Sequence, residues 1–116
     1  VTTRYDIVVQ QGATFILPIQ ALNQDRTVKV LSGYLARFQV RSTTGSAVVL
    51  MSGTTEDGRI SVNGPGGIVT ITVGADVTAP MTWTNGVWDI EAYTSVSNVI
   101  RLAEGFASLS PEVTRP

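Results

Sequence analysis

The feature that most constrains this chain is a two-residue alternation of apolar and polar side chains that recurs along its second half. In Ile68-Val69-Thr70-Ile71-Thr72-Val73, the residues Val69, Ile71 and Val73 fall on one side and the threonines on the other. Val87-Trp88-Asp89-Ile90-Glu91-Ala92 repeats the rhythm, with Trp88, Ile90 and Ala92 inward and both carboxylates outward. A period of two marks an extended strand with one buried face, whereas a helix returns its apolar residues every three to four positions. The same pattern is cleanest in Leu35 to Arg41, where Ala36, Phe38 and Val40 alternate with Arg37, Gln39 and Arg41. Helical character is confined to Asp76-Val77-Thr78-Ala79-Pro80, which predicts a single turn ending before the proline.

Other segments extend the strand reading to the whole chain. Tyr5 to Gln10 is rich in β-branched residues and stops at Gln11-Gly12. Thr14 to Leu22 places Phe15, Leu17 and Ile19 on one face, and Pro18, which has no N–H to give a ladder, marks it as an edge strand or a bulge. Val28-Lys29-Val30 is expected to add a short strand. Ala47 to Ser52 is apolar on both faces, which predicts cover from two sides, within the fold or by a partner. Val99 to Glu104 and Phe106 to Leu109 read as a final strand pair. Turn signals separate these runs every 8–12 residues or so, giving an all-β antiparallel β-sandwich of seven to nine short strands. The expected organisation is one domain over residues 1–110 followed by an extended polar tail over 111–116.

Composition narrows the function classes. With 116 residues the chain can bury roughly two thirds of its unfolded surface without disulfide or metal support. Charged residues make up 15%, well under the usual proportion of about a quarter, so bare surface is available to a neighbouring subunit. The net charge is −1, Lys29 is the sole lysine and no basic run exists, which argues against nucleic-acid binding. Histidine and cysteine are both absent, removing the commonest general base, the commonest metal ligand and all thiol chemistry. No apolar stretch approaches the ~20 residues of a membrane-spanning helix. Val1-Thr2-Thr3-Arg4 lacks the basic-then-apolar layout of a signal peptide, so the expectation is a protein assembled inside a cell.

The constellations that could carry chemistry have plainer readings. Asp89 and Glu91 lie two apart on one strand and share a face, where they are expected to pair with Arg37 or Arg101 across strands rather than to hydrolyse a substrate or hold calcium. Glu56-Asp57-Gly58 is a hairpin turn. Asn63-Gly64-Pro65-Gly66-Gly67 precedes a strand, not the helix that a phosphate-cradling loop requires, and reads as a glycine-permitted turn. The serines and threonines have no histidine to activate them and no Gly-x-Ser-x-Gly elbow. No catalytic residue, metal ligand or cofactor is therefore expected. Trp88, in phase with Ile90, belongs to the core, while Trp83 in a Thr/Asn-rich loop is the aromatic best placed for an exposed contact with a protein or a sugar.

Three segments, in order and spacing, resemble a family of small bacteriophage and prophage virion proteins. They are Tyr5 to Phe15 with its Gln11-Gly12 turn, Leu31 to Arg41 with Gly33-Tyr34, and Gly86 to Glu91 followed by Val99 to Gly105 and Ser110-Pro111-Glu112-Val113-Thr114-Arg115. The layout is similar to the immunoglobulin-like N-terminal domain of phage upper-baseplate proteins. The stretch Asn23 to Leu31 is longer than that pattern has, and Trp83 lies in its variable region. The resemblance implies an immunoglobulin-like sandwich in the virion, at a tail, baseplate or fibre-adaptor position, present in multiple copies and contacting other virion proteins. It implies neither nucleic acid nor membrane as partner, and assembly in the host bacterial cytoplasm. A capsid decoration or head–tail neck protein is the nearest rival, and a host-glycan-binding module the rival from another class. The expected interface residues are Trp83, Val48, Leu50, Pro111 and Val113, with Val1 to Arg4 and Ser108 to Pro116 as inter-subunit arms.

Overall fold

A computed structural model describes residues 2–116 of the chain. Nine strands and one helical turn follow one another: β1 (Thr3–Arg4), β2 (Ile7–Gln10), β3 (Phe15–Gln20), β4 (Leu35–Arg41), β5 (Val49–Thr54), β6 (Ile60–Asn63), β7 (Ile68–Val73), α1 (Ala75–Thr78), β8 (Asn85–Ser95) and β9 (Asn98–Ser110). The larger sheet runs β1-β9-β8-β4-β5, with β2 also paired to β9, and the smaller runs β3-β7-β6. All pairings are antiparallel except those of β1 and β2, which lie parallel to β9. The fold is an all-β immunoglobulin-like sandwich.

The alternation read from the sequence is what closes it. Ala36, Phe38, Val40, Trp88, Ile90 and Ala92 line the inner face of the larger sheet, and Val69, Ile71 and Val73 line that of the smaller; all are buried. Two polar pins fix the framework, one within the larger sheet and one at the crossing between the sheets. Trp88 Nε1 donates to the Tyr5 carbonyl at 2.8 Å, tying β8 to the link between β1 and β2. The fully buried Thr78 hydroxyl donates to Ala13 O at 2.8 Å and accepts from Gly12 N–H at 3.1 Å. That hydroxyl fastens α1 to the turn by which the chain crosses from the larger sheet to the smaller. Gly12 sits in that turn at φ 81°, a conformation that favours glycine.

Several expectations need correction. The final hairpin is not short: β8 has 11 residues and β9 has 13. Val99 to Leu109 is one continuous strand, because Gly105 is not a break but a point of close approach, where a Cβ would strike the Tyr5 carbonyl. Val28 to Val30 forms no strand and contributes a single bridge, Leu22 to Val28. Within the domain the run Ala47 to Ser52 is covered on one face alone: Met51 is buried, Val49 and Val48 are exposed, and Val48 precedes the strand, which leaves cover by a partner as the other expectation. Part of the expected arms belongs to the sheet, since Thr3 and Arg4 pair with Ala103 and Glu104 and Ser108 to Ser110 complete β9, while residues 111–116 lie beyond it. Val1 lies outside the described residues. The tail is tethered to its own domain, as Glu112 N–H donates to Gln11 Oε1 at 2.8 Å.

Candidate docking face

Residues opposite one another on neighbouring strands share a face. The register therefore sorts the outer surface of the larger sheet into four cross-strand rungs. The first is Leu35, Tyr93 and Val99; the second is Arg37, Glu91 and Arg101. The third is Gln39, Asp89 and Glu104, extended by Arg4 on β1. The fourth is Val49, Arg41, Val87 and Phe106. Two charged rungs thus lie between two mainly apolar ones.

A β-bulge assembles the charged centre. Ile90 faces Ala103 while Glu91 faces Arg101, so Leu102 is an extra residue, and it is buried next to the buried Ala103. In a regular strand residues three apart point to opposite faces, but the inserted residue turns Arg101 and Glu104 to the same one. Arg101 then serves two carboxylates, Asp89 at 3.4 Å and Glu104 at 3.5 Å. Arg37 pairs with Glu91 at 3.0 Å and lies over the Tyr93 ring at 4.5 Å. Arg4 leans onto Asp6 at 3.7 Å and over the Phe106 ring at 4.7 Å. Partial burial pushes the Asp89 carboxyl above its ordinary value; Arg101 opposes the rise, Glu91 and Glu104 add to it, and Arg37 again opposes it. Arg41 is held by neutral acceptors, Gln39 Oε1 at 2.8 Å and Ser46 O at 2.6 Å.

These groups border an open depression of about 450 Å³ whose lining is mostly charged and polar. The carboxylates of Asp89, Glu91 and Glu104 are committed to Arg101 and Arg37, as the alternation predicted for Asp89 and Glu91, while Arg41 is held by neutral acceptors alone. Among the described residues no group of three or more side chains is placed to hold a metal ion. What the face offers is a rigid pattern of charge and apolar surface, suited to a complementary macromolecular surface.

The residues expected to form an interface lie toward one end of the sandwich without forming one patch. Val48 is 65% exposed at the start of the β5 edge, with the half-buried Leu50 at the β4–β5 irregularity. Pro111 and Val113 follow β9, on the far side of the sheet, and Val113 is 92% exposed. Trp83 is half-buried and packed against the core, its Nε1 buried without a hydrogen-bond partner among the described residues. Sequence reasoning missed the rungs as a unit, because register and the Leu102 bulge decide which charges meet. It also missed Gln11, whose Nε2 donates to Ala79 O at 3.1 Å and Met81 O at 2.9 Å while its Oε1 holds the tail.

No family model matches the chain, and no curated protein matches it. Among solved structures it is similar to a chicken TCR, with a TM-score of 0.55 at 10% sequence identity over 99% of this chain. The chain spans 56% of the length of that TCR chain. At this identity the likeness concerns the fold alone.

Proposed function

We propose that this domain is a bacteriophage virion structural protein of the tail, baseplate or fibre-adaptor region, working by protein–protein contacts rather than by chemistry. The observation that carries the reading is the outer face of the larger sheet, a rigid ladder of charged rungs bordered by Leu35, Tyr93, Val87 and Phe106. A surface of this kind positions a neighbour through charge pattern and shape. The resemblance of its ordered segments to small phage virion proteins supplies the setting: multiple copies, other virion proteins as partners, and assembly in the host bacterial cytoplasm. Immunogold labelling of purified particles with an antibody against the domain tests it. Gold at the tail end supports the proposal. Gold on the head transfers the domain to the decoration or neck class, and particles without label overturn the virion reading.

A further inference from the structure

We propose that the outer face of the larger sheet pairs with the same face of a second copy of this chain, forming a twofold dimer. The argument starts from an imbalance of charge within the face. Asp89 and Glu104 share one cation, Arg101. Arg41, two strands and one rung away from Glu104, has only neutral acceptors and no carboxylate partner among the described residues. Strand spacing and rise put these two positions roughly 12 Å apart. Arg4, opposite Glu104 on β1, leans away onto Asp6, so the Asp89–Glu104 side of the face is short of positive charge and the Arg41 side has it uncompensated.

A twofold axis lying in the plane of the face corrects both ends in one operation. If Arg41 of one copy sits over Glu104 of the other, symmetry makes the reciprocal contact as well. The same rotation lays Phe106, 59% exposed although Arg4 lies over its ring, against the partner's Val87 and so covers apolar surface that the monomer leaves in water. Sixteen outward positions on β1, β4, β5, β8 and β9, each about 4.8 Å by about 6.8 Å, give roughly 520 Å² before side-chain relief, the size of a weak, concentration-dependent interface. Neighbouring copies thus supply what each face lacks.

This names one partner for the docking surface proposed above and rests on that surface acting by protein contact. The two readings separate experimentally, because a domain can dimerise whether or not it is found in a particle. The test is sedimentation velocity of the whole chain from about 1 μM to about 1 mM, with Arg41→Glu, Glu104→Arg and an equimolar mixture of the two variants. The wild type is expected to shift from monomer to dimer across the range. Each variant alone sets like charges together and should associate at least about tenfold more weakly. In the mixture Glu at position 41 meets Arg at position 104 on one side, and Arg41 meets Glu104 on the other, so wild-type dimerisation returns. Circular dichroism establishes that both variants keep the β fold. A wild type that stays monomeric throughout overturns the proposal, and so does a mixture no tighter than its separate components.

Discussion

On the outer face of the smaller sheet, β3, β7 and β6 present Ile16, Pro18, Thr70, Thr72 and Ser61, and none of the three strands contains a charged residue. Across the sandwich, the outer face of the larger sheet sets Arg4, Arg37, Arg41 and Arg101 among Asp89, Glu91 and Glu104. Both faces come from the same alternation, and both leave equally well-buried partners behind them. The contrast shows that alternation decides which side chains point outward, while their chemistry is free to serve something other than folding. Threonine and serine suit a strand surface that meets water. A ladder of arginines and carboxylates gains little in water, since exposed pairs contribute only about 0–1 kcal/mol each.

The largest test of this contrast strikes what the two faces share. Phe38 is fully buried between the sheets, and Phe38→Ala should remove about 3–5 kcal/mol of stability, read by denaturant unfolding. Both faces would lose order together. A loss under about 1 kcal/mol would mean that the sheets do not depend on one core.

A smaller effect should come from the joint between the sheets. Thr78→Val keeps the shape of the side chain but leaves Gly12 N–H and Ala13 O without the hydroxyl that serves both. An expected cost of about 1–3 kcal/mol follows from stranding buried polar groups. Thermal unfolding would measure it. An unchanged midpoint would show that water or a shifted turn replaces the hydroxyl and that the joint is not what fixes one sheet against the other.

Much of this architecture could be read from residues alone, and the failures have physical causes. Trp88, Ile90 and Ala92 were in phase and are buried; Pro18 marked an edge, and β3 is one. Arg37 and Arg101 were the expected partners of Glu91 and Asp89, and they are. Alternation is a local property, so it survives without knowledge of neighbours. Gly105 misled because glycine serves two purposes in a strand, a break or a close approach, and only the crossing of Tyr5 tells which applies. Val48 and Val49 show the limit of a local pattern: an apolar run on both sides calls for cover but does not say whether the fold supplies it, and at the β5 edge the domain does not. The charged face itself was illegible, since a bulge at Leu102 determines that Arg101 and Glu104 act on the same side.

The finest distinction between the two faces is their response to pH. The ordinary aspartate value is 3.8, and Asp89 lies above it in the folded chain, chiefly through burial and further through Glu91 and Glu104, against the pull of Arg101 and Arg37. As pH rises from about 3.8, the unfolded chain releases this proton before the folded one does. The folded state then binds more protons, so this carboxyl's contribution to stability falls through the window between the two values and stays lost above it. Asp89→Asn removes that titration. Thermal unfolding from acid to neutral pH should show the variant gaining on the wild type as pH rises, by a few tenths of a kcal/mol because the site is partly open to water. Thr70→Ser, on the uncharged face, should run parallel to the wild type at every pH. If Asp89→Asn instead loses ground as pH rises, attraction to Arg101 outweighs burial and crowding, and the charged face is a self-sufficient stabilising network rather than one left short of a cation.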